Sequence, residues 1–421
     1  MPNEQRSFDV VCGAAARTSI QTTTLAASSS RGASRWAGRR VLYALALMML
    51  GVAAVAEPVP LRVATVAAGL NHPWSLAFLP AGDLLVTERN GGLRIIHDGK
   101  LETKSIGGVP IAFAEGDGGL LGLTLHPEFA RNGLLYVCLT VGSVSANATS
   151  VIRGRLVGRT LQEVTTIFTA VPFKKAADHF GCRLMFSPDQ KLLVTLGDGR
   201  WYPYQAQALD NDLGKVVRLN EDGTIPVDNP FARRWQARPE IYTYGHRNIQ
   251  GIALNPLTGE VWIHEHGPKG GDEVNIVHAG ANYGWPMITY GIDYSGQVVS
   301  EKTAMPGMEQ PVIYWTPSIA PSGMAFYTGA RIPEWRGDLF VGALAGRYLR
   351  RVHFVGTLIV SQEVLLAELN ERIREVCDGP DGYLYVTTDA TDGRILRLEP
   401  PGEPAMRAAP TSRSGAWQLT N

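Results

Sequence analysis

The sequence predicts an all-β chain, folded as a six-bladed β-propeller with four-stranded antiparallel blades. The first observation is a phrase that recurs six times: a turn containing Gly, Pro or Asp, then a short apolar, β-rich run. Copies begin at Leu79 (LPAGDLLVTERNGGLRII), His126 (HPEFARNGLLYVCLT), Ser187 (SPDQKLLVTLGDG), Asn255 (NPLTGEVWIHEHG), Pro333 (PEWRGDLFVGALAGRYLRRV) and Gly379 (GPDGYLYVTTDATDGRILRL). The second is that several copies continue through another turn into a further alternating run, as in NGGLRII and DGRILRL, the pattern of a hairpin. The third is that no long segment keeps helical periodicity, whereas 46 Gly and 26 Pro supply many turns. A small antiparallel sheet cannot bury both of its faces alone, and radial packing of six such sheets solves that burial and shields most edges. A β-sandwich does not require six similar phrases. LRVATVAAGL (61–70) reads as a strand ahead of the first copy, placed to complete the last blade and close the ring.

The propeller is expected over 57–399. Before it, Arg31, Arg35, Arg39 and Arg40 precede the apolar run 41–56, which ends in Ala54-Val-Ala56. A basic region, an apolar core and a small-residue cleavage site form the pattern of a secretory signal peptide, so 1–56 is expected to be a leader with an N-terminal extension. The run is shorter than the roughly 20 residues a spanning helix needs. A periplasmic or secreted protein follows, with no stable membrane insertion after cleavage. The tail 400–421 reads as flexible. Without the leader the formal charge is −4, which gives no reason to expect nucleic acid or an anionic membrane as partner. Three cysteines remain: Cys138, Cys182 and Cys377. With no C-x-x-C spacing, buried thiols in strands are expected, and Cys182 reads as a packing residue.

Function in a propeller belongs on the loops at the channel mouth, where four polar stretches stand out. DHFGCRL places Asp178 and His179 just before a strand, and Asp198 follows at that strand's far end. YGHRNIQG (244–251) concentrates Arg247, Asn248 and Gln250. HEHGPKGGDEVN (264–275) offers backbone carbonyls at Gly267 and Pro268, with carboxylates at Asp272 and Glu273, all oxygen donors suited to a hard cation. His264 and His266, two apart and without further ligands, make a weak zinc pattern. Arg372 and Arg374 fall on one side of a strand, where two like charges call for an anion or open water.

These segments, with NHPWSLAF, TERNGGLRI, GDGGLLGLTLHPEF, GKVVRLNEDG, NYGWP, APSGMAFYTG and RIREVCDGPDGYLYVTTD, occur in an order similar to that of the soluble pyrroloquinoline quinone (PQQ)-dependent sugar dehydrogenases. The chain resembles this glucose/sorbosone dehydrogenase family from about Leu61 to Leu398. The resemblance implies oxidation of an aldose at its anomeric hydroxyl to a lactone, with PQQ and Ca2+ as cofactors. It implies His179 as general base, oriented by Asp198, with Asp117 and Asp178 on the substrate side. Arg247 and Asn248, with Gln250 close by, would meet the quinone carbonyl, and Arg372 and Arg374 would pair with its carboxylates. The carbonyls of Gly267 and Pro268 would hold the calcium that bridges to PQQ, and Glu273 with the backbone of Tyr283 a second calcium. A flat quinone bearing three carboxylates suits bidentate arginines. Proton removal suits a neutral imidazole held by a carboxylate.

The chain departs from its relatives at two positions. Asp117 stands where many have Gln, and Ala345 where some have a cofactor-contacting Lys, a loss that Arg347 or Arg350 could offset. Shorter insertions than in glucose-specialised members favour a broader range of aldoses. An external electron acceptor is implied, and the chain is expected to be a monomer or homodimer. A calcium-dependent propeller lactonase and a non-catalytic binding propeller are the alternatives.

Overall fold

The computed structural model describes residues 60–356 and 358–402. The leader expected over 1–56 and nearly all of the tail expected over 400–421 lie outside the described residues. Six four-stranded sheets make up the fold. Strand β1 (Arg62–Leu70) comes first, then blade 1 with β2 (Pro73–Phe78), β3 (Leu84–Glu88), β4 (Leu93–His97) and β5 (Lys100–Leu101). Blade 2 holds β6 (Leu120–Leu125), β7 (Leu134–Ser143), β8 (Ala146–Val157) and β9 (Thr160–Thr169). Blade 3 holds β10 (Leu184–Phe186), β11 (Leu192–Thr195), β12 (Lys215–Leu219) and β13 (Ile241–Tyr244). Blade 4 runs through β14 (Ile249–Leu254), β15 (Val261–Glu265), β16 (Asp272–Ile276) and β17 (Ile313–Trp315). Blade 5 runs through β18 (Pro321–Phe326), β19 (Leu339–Ala343), β20 (Tyr348–Val355) and β21 (Leu358–Leu365). Blade 6 takes β22 (Ile373–Asp378), β23 (Leu384–Thr388) and β24 (Gly393–Glu399), and β1 completes it by pairing antiparallel with β24.

Each of the six repeated phrases leads into the second strand of a blade: β3, β7, β11, β15, β19 and β23. These strands carry the strongest signal because neighbouring blades cover both of their faces. LLVTE, LLVT, LFVGA and LYVTT are buried along their whole length. Doubly covered strands read as continuous apolar runs rather than alternations. The apolar core accordingly lies between blades. One cluster joins Leu85, Leu93 and Ile95 of blade 1 to Leu120, Leu135 and Val137 of blade 2. Another joins Trp262 and Val274 of blade 4 to Phe326, Leu339 and Val352 of blade 5. The first strands of the blades contact one another in a closed ring around the axis: β2, β6, β10, β14, β18, β22 and back to β2. Residues next to these inner strands therefore converge on one channel. Among the described residues, no helix is long and apolar enough to cross a membrane.

The cysteine expectation needs correction. Cys138 of β7 and Cys182, just before β10, form a disulfide, and Cys377 of β22 is the free thiol. Blades 2 and 3 pack their inner faces together and bring both sulfurs into one buried cluster. Their separation of 44 residues leaves no local pattern to read.

Candidate active site

A cavity of about 260 Å3 opens in the channel, lined by Asp117, Asp178, His179, Asn248, Gln250, Arg372 and Arg374 among others. Seven of the residues singled out in the sequence thus meet around one cavity, although they come from four blades and their loops. His179 sits in a turn of unusual backbone: His179, Gly181 and Cys182 have φ of 50, 66 and 79°. Left-handed conformations at non-glycine residues cost free energy and persist where the surroundings fix them. Here the His179 N–H donates to the Asp117 carboxylate at 3.2 Å, and the Gly181 N–H to the Asn248 side-chain carbonyl at 3.2 Å. The Thr149 hydroxyl donates to the Phe180 carbonyl at 2.8 Å, and the disulfide ties Cys182 to β7.

The His179 ring nitrogen Nδ1 lies 2.7 Å from the Asp198 carboxylate. A carboxylate only accepts, so this contact places the proton on Nδ1 and leaves Nε2 with its lone pair in the neutral ring. Among the described residues, Nε2 has no hydrogen-bond partner, and His179 lines the cavity. Asp198 is fully buried and also accepts from the Arg200 N–H at 2.7 Å and from the Trp285 indole N–H at 2.8 Å. Burial pushes its acidity toward the neutral form. The hydrogen bond and charge of His179, then Arg247 and the Arg200 N–H, outweigh that and hold the carboxyl below its usual range. Gly197 allows the approach of the chains, since a Cβ there would lie 2.2 Å from the His179 carbonyl.

On the opposite wall Arg372 and Arg374 converge on Asp389, at 3.2 and 2.8 Å, and His72 meets the same carboxylate at 2.7 Å. The anion their shared face called for is therefore partly supplied by the protein. Burial disfavours the Asp389 charge, but Arg374, His72 and Arg372 hold its carboxyl far below the ordinary range. Arg89 and Arg200 also line the cavity, and the sequence reading missed both. Arg200 lies 3.5 Å from Asp178. Arg89 donates to the Gly116 carbonyl, yet its buried Nε, like that of Arg374, has no partner among the described residues. Buried donors of this kind fit an anionic ligand with several acceptors. The expectation that Arg347 or Arg350 stands in for the cation lost at Ala345 is not met. Arg347 donates to the Asn370 carbonyl, Arg350 to the Tyr348 hydroxyl, and neither lines this cavity.

Arg247 does not line this cavity but a second, small one. Its guanidinium donates to the carbonyls of His266 and Gly267, at 3.1 and 2.8 Å, and lies 5.3 Å from the Trp285 ring centre. The small cavity, about 10 Å3, is lined by Arg247, Glu265, Gly267, Glu273 and Tyr283 among others. That is room for one water-sized occupant. Pro268 lines neither cavity. Glu265 and Glu273 stand directly opposite one another on β15 and β16. Burial, then the charge of Glu265, pushes the Glu273 carboxyl up to about 8, and the buried Asn275 Oδ1 has no partner among the described residues. Of these oxygens only the two carboxylates line the cavity. Glu265 already accepts from the His246 ring and the Arg247 N–H, which leaves Glu273 as the carboxylate open to a hard cation. His264 is buried beyond reach of either cavity's lining, and His266 uses its Nε2 on the Pro321 carbonyl.

The sequence reading also missed Trp285, Trp74 and Arg183. Trp285 lies within the NYGWP segment, but nothing local ties it to an aspartate 87 residues away.

The family model for glucose/sorbosone dehydrogenase matches residues 70–397. The aldose sugar dehydrogenase YliI of Escherichia coli is 42% identical over 369 residues, covering 86% of this chain and 99% of that protein. The crystal structure of the soluble aldose sugar dehydrogenase of Escherichia coli in the apo form superposes with a TM-score of 0.79. It is 41% identical, over 81% of this chain and 100% of that one. The PQQ-bound aldose sugar dehydrogenase of Streptomyces coelicolor superposes with a TM-score of 0.66 at 30% identity, over 82% of this chain and 99% of that one. With a shared propeller and similarity over nearly the whole described region, the chain belongs to the glucose/sorbosone dehydrogenase family.

Proposed function

We propose that this protein oxidises aldose sugars at the anomeric hydroxyl, giving the lactone, with PQQ as electron acceptor and calcium as its partner ion. One observation carries the reading: a histidine–aspartate pair offers an unbonded imidazole nitrogen to the same cavity that holds four arginines. When bound, PQQ would supply a two-electron acceptor, and calcium would act on it as a Lewis acid that draws electron density away. His179 Nε2 takes the proton of the anomeric hydroxyl. Asp198 keeps the required tautomer and stabilises the imidazolium that forms. Asp117 and Asp178 accept hydrogen bonds from sugar hydroxyls. Arg247, Asn248 and Gln250 line the quinone side, and Arg372 and Arg374, with Arg89, offer donors to its carboxylates. The carbonyls of Gly267, which accepts from Arg247, and Pro268, which lines neither cavity, are the expected ligands of the calcium beside the quinone, and Glu273 with the Tyr283 backbone those of a second. Electrons leave to an external acceptor. The Cys138–Cys182 disulfide and the signal-like leader support a periplasmic or secreted location, since disulfides persist in oxidising compartments.

The test is reconstitution. Purified apoprotein given PQQ, Ca2+, a redox dye and a panel of aldoses should reduce the dye and release lactone. No rate above the cofactor-free control across the panel would reject the reading. Lactone hydrolysis without PQQ would favour a hydrolase in its place.

A further inference from the structure

Arg183 contributes nothing to the pair at His179, yet it is the most heavily engaged buried cation of the channel. It precedes β10 and is 5% exposed. Its Nε donates to the Gln250 carbonyl of β14 at 2.7 Å, and one Nη to the Arg374 carbonyl of β22 at 3.2 Å. The other Nη pairs with the Glu375 carboxylate at 2.5 Å, and Glu375 is 6% exposed. The guanidinium lies over Trp74 of β2, 4.0 Å from its ring centre, with the Arg374 guanidinium 6.0 Å from the same ring. One side chain of blade 3 therefore spans the channel to blades 1, 4 and 6. Gln250 and Arg374, whose carbonyls it holds, both present side chains to the large cavity. Trp74 lines that cavity, whereas Arg183 and Glu375 line a separate one of about 150 Å3 with Ser75 and Cys377. The stacked pair forms the partition between them.

We propose that Arg183 is a positioning residue for the cofactor: its fork sets the distance across the channel between the Gln250 and Arg374 walls and fixes Trp74 as the floor. The inference rests on the quinone reading above. A planar fork can hold three acceptors at fixed angles, which a lysine ammonium cannot. The Glu375 carboxylate balances the buried charge, so removing Arg183 alone would strand it.

The test measures PQQ binding to calcium-loaded protein by quenching of tryptophan fluorescence, alongside thermal unfolding. Arg183→Met/Glu375→Gln removes both charges together and should melt close to wild type while binding PQQ about tenfold or more weakly. Arg183→Lys keeps the charge but loses the fork, and should bind with an intermediate affinity. Either folded variant binding PQQ within about twofold of wild type would overturn the inference while leaving the quinone reading intact. If the double variant does not fold, Arg183→Lys decides alone. A wild-type protein that does not bind PQQ would overturn both.

Discussion

Two buried histidine–carboxylate pairs have nearly the same geometry and opposite surroundings. His179 Nδ1 is 2.7 Å from Asp198, and His246 Nδ1 is 2.8 Å from Glu265. His246 spends its second nitrogen on the Thr243 hydroxyl at 2.9 Å, and its ring stacks on Tyr283 at 4.4 Å between centres. His179 leaves its second nitrogen unbonded beside a cavity. The comparison shows that a short histidine–carboxylate contact does not mark a catalytic base. What separates the two is whether the far nitrogen is already satisfied: the proposed base keeps a free lone pair beside the cavity, and His246 does not.

The most severe way to break this contrast is to delete each ring. His179→Ala should lower aldose turnover by about 10²- to 10⁴-fold with PQQ affinity little changed. Asp198 loses one partner but keeps the Arg200 N–H and the Trp285 indole, so the stability loss should be smaller than at His246. His246→Ala should instead lower stability, by about 2–4 kcal/mol in denaturant unfolding, because a cavity opens and Glu265 loses its partner. If both variants show the same pattern, the distinction fails. The next largest effects concern the carboxylate. Asp198→Asn can donate to Nδ1 and so favours the wrong tautomer, and turnover should fall about 10²-fold or more. Trp285→Phe removes only one of the donors to Asp198 and should cost about tenfold, read as kcat at saturating sugar.

The fold was largely legible because its strongest signal, the doubly buried second strand, repeats six times, and the closing strand at 61–70 does pair with the last one. The site was legible only where local sequence carried it. Asp178, His179, Asn248, Gln250, Arg372 and Arg374 sit in motif loops or the inner strands beside them, and do converge. Trp285 on Asp198, Arg183 on Glu375, and Cys138 on Cys182 were not legible. Each joins residues far apart in the chain, and each contact exists only because blades pack radially. Among the described residues, other histidine–carboxylate contacts, such as His353 with Asp338 at 2.8 Å, show why His179 could not be singled out by its neighbours alone.

The small cavity beside His246 makes a gentler prediction. In metal-free protein the folded state keeps a proton on Glu273 up to about pH 8, whereas the unfolded chain releases it near 4.5. Between those values the native state binds more protons, so stability should fall as pH rises through this window and level off above it. Calcium bound at Glu273, as proposed, would displace that proton, so the rise in melting temperature on adding calcium should grow over the same window. Glu273→Gln should remove both the slope and the calcium response. A calcium shift independent of pH would contradict this assignment. Smallest for activity, though not for stability, is Cys138→Ala/Cys182→Ala. Loss of the bridge should cost about 2–4 kcal/mol of unfolding free energy while PQQ binding persists.

The most direct test is anaerobic single-turnover reduction of protein-bound PQQ by glucose, followed by absorbance in wild type, His179→Ala and His246→Ala. The account predicts prompt reduction in wild type and in folded His246→Ala, and bound but persistently oxidised PQQ in His179→Ala. Reduction in His179→Ala at the wild-type rate would contradict it.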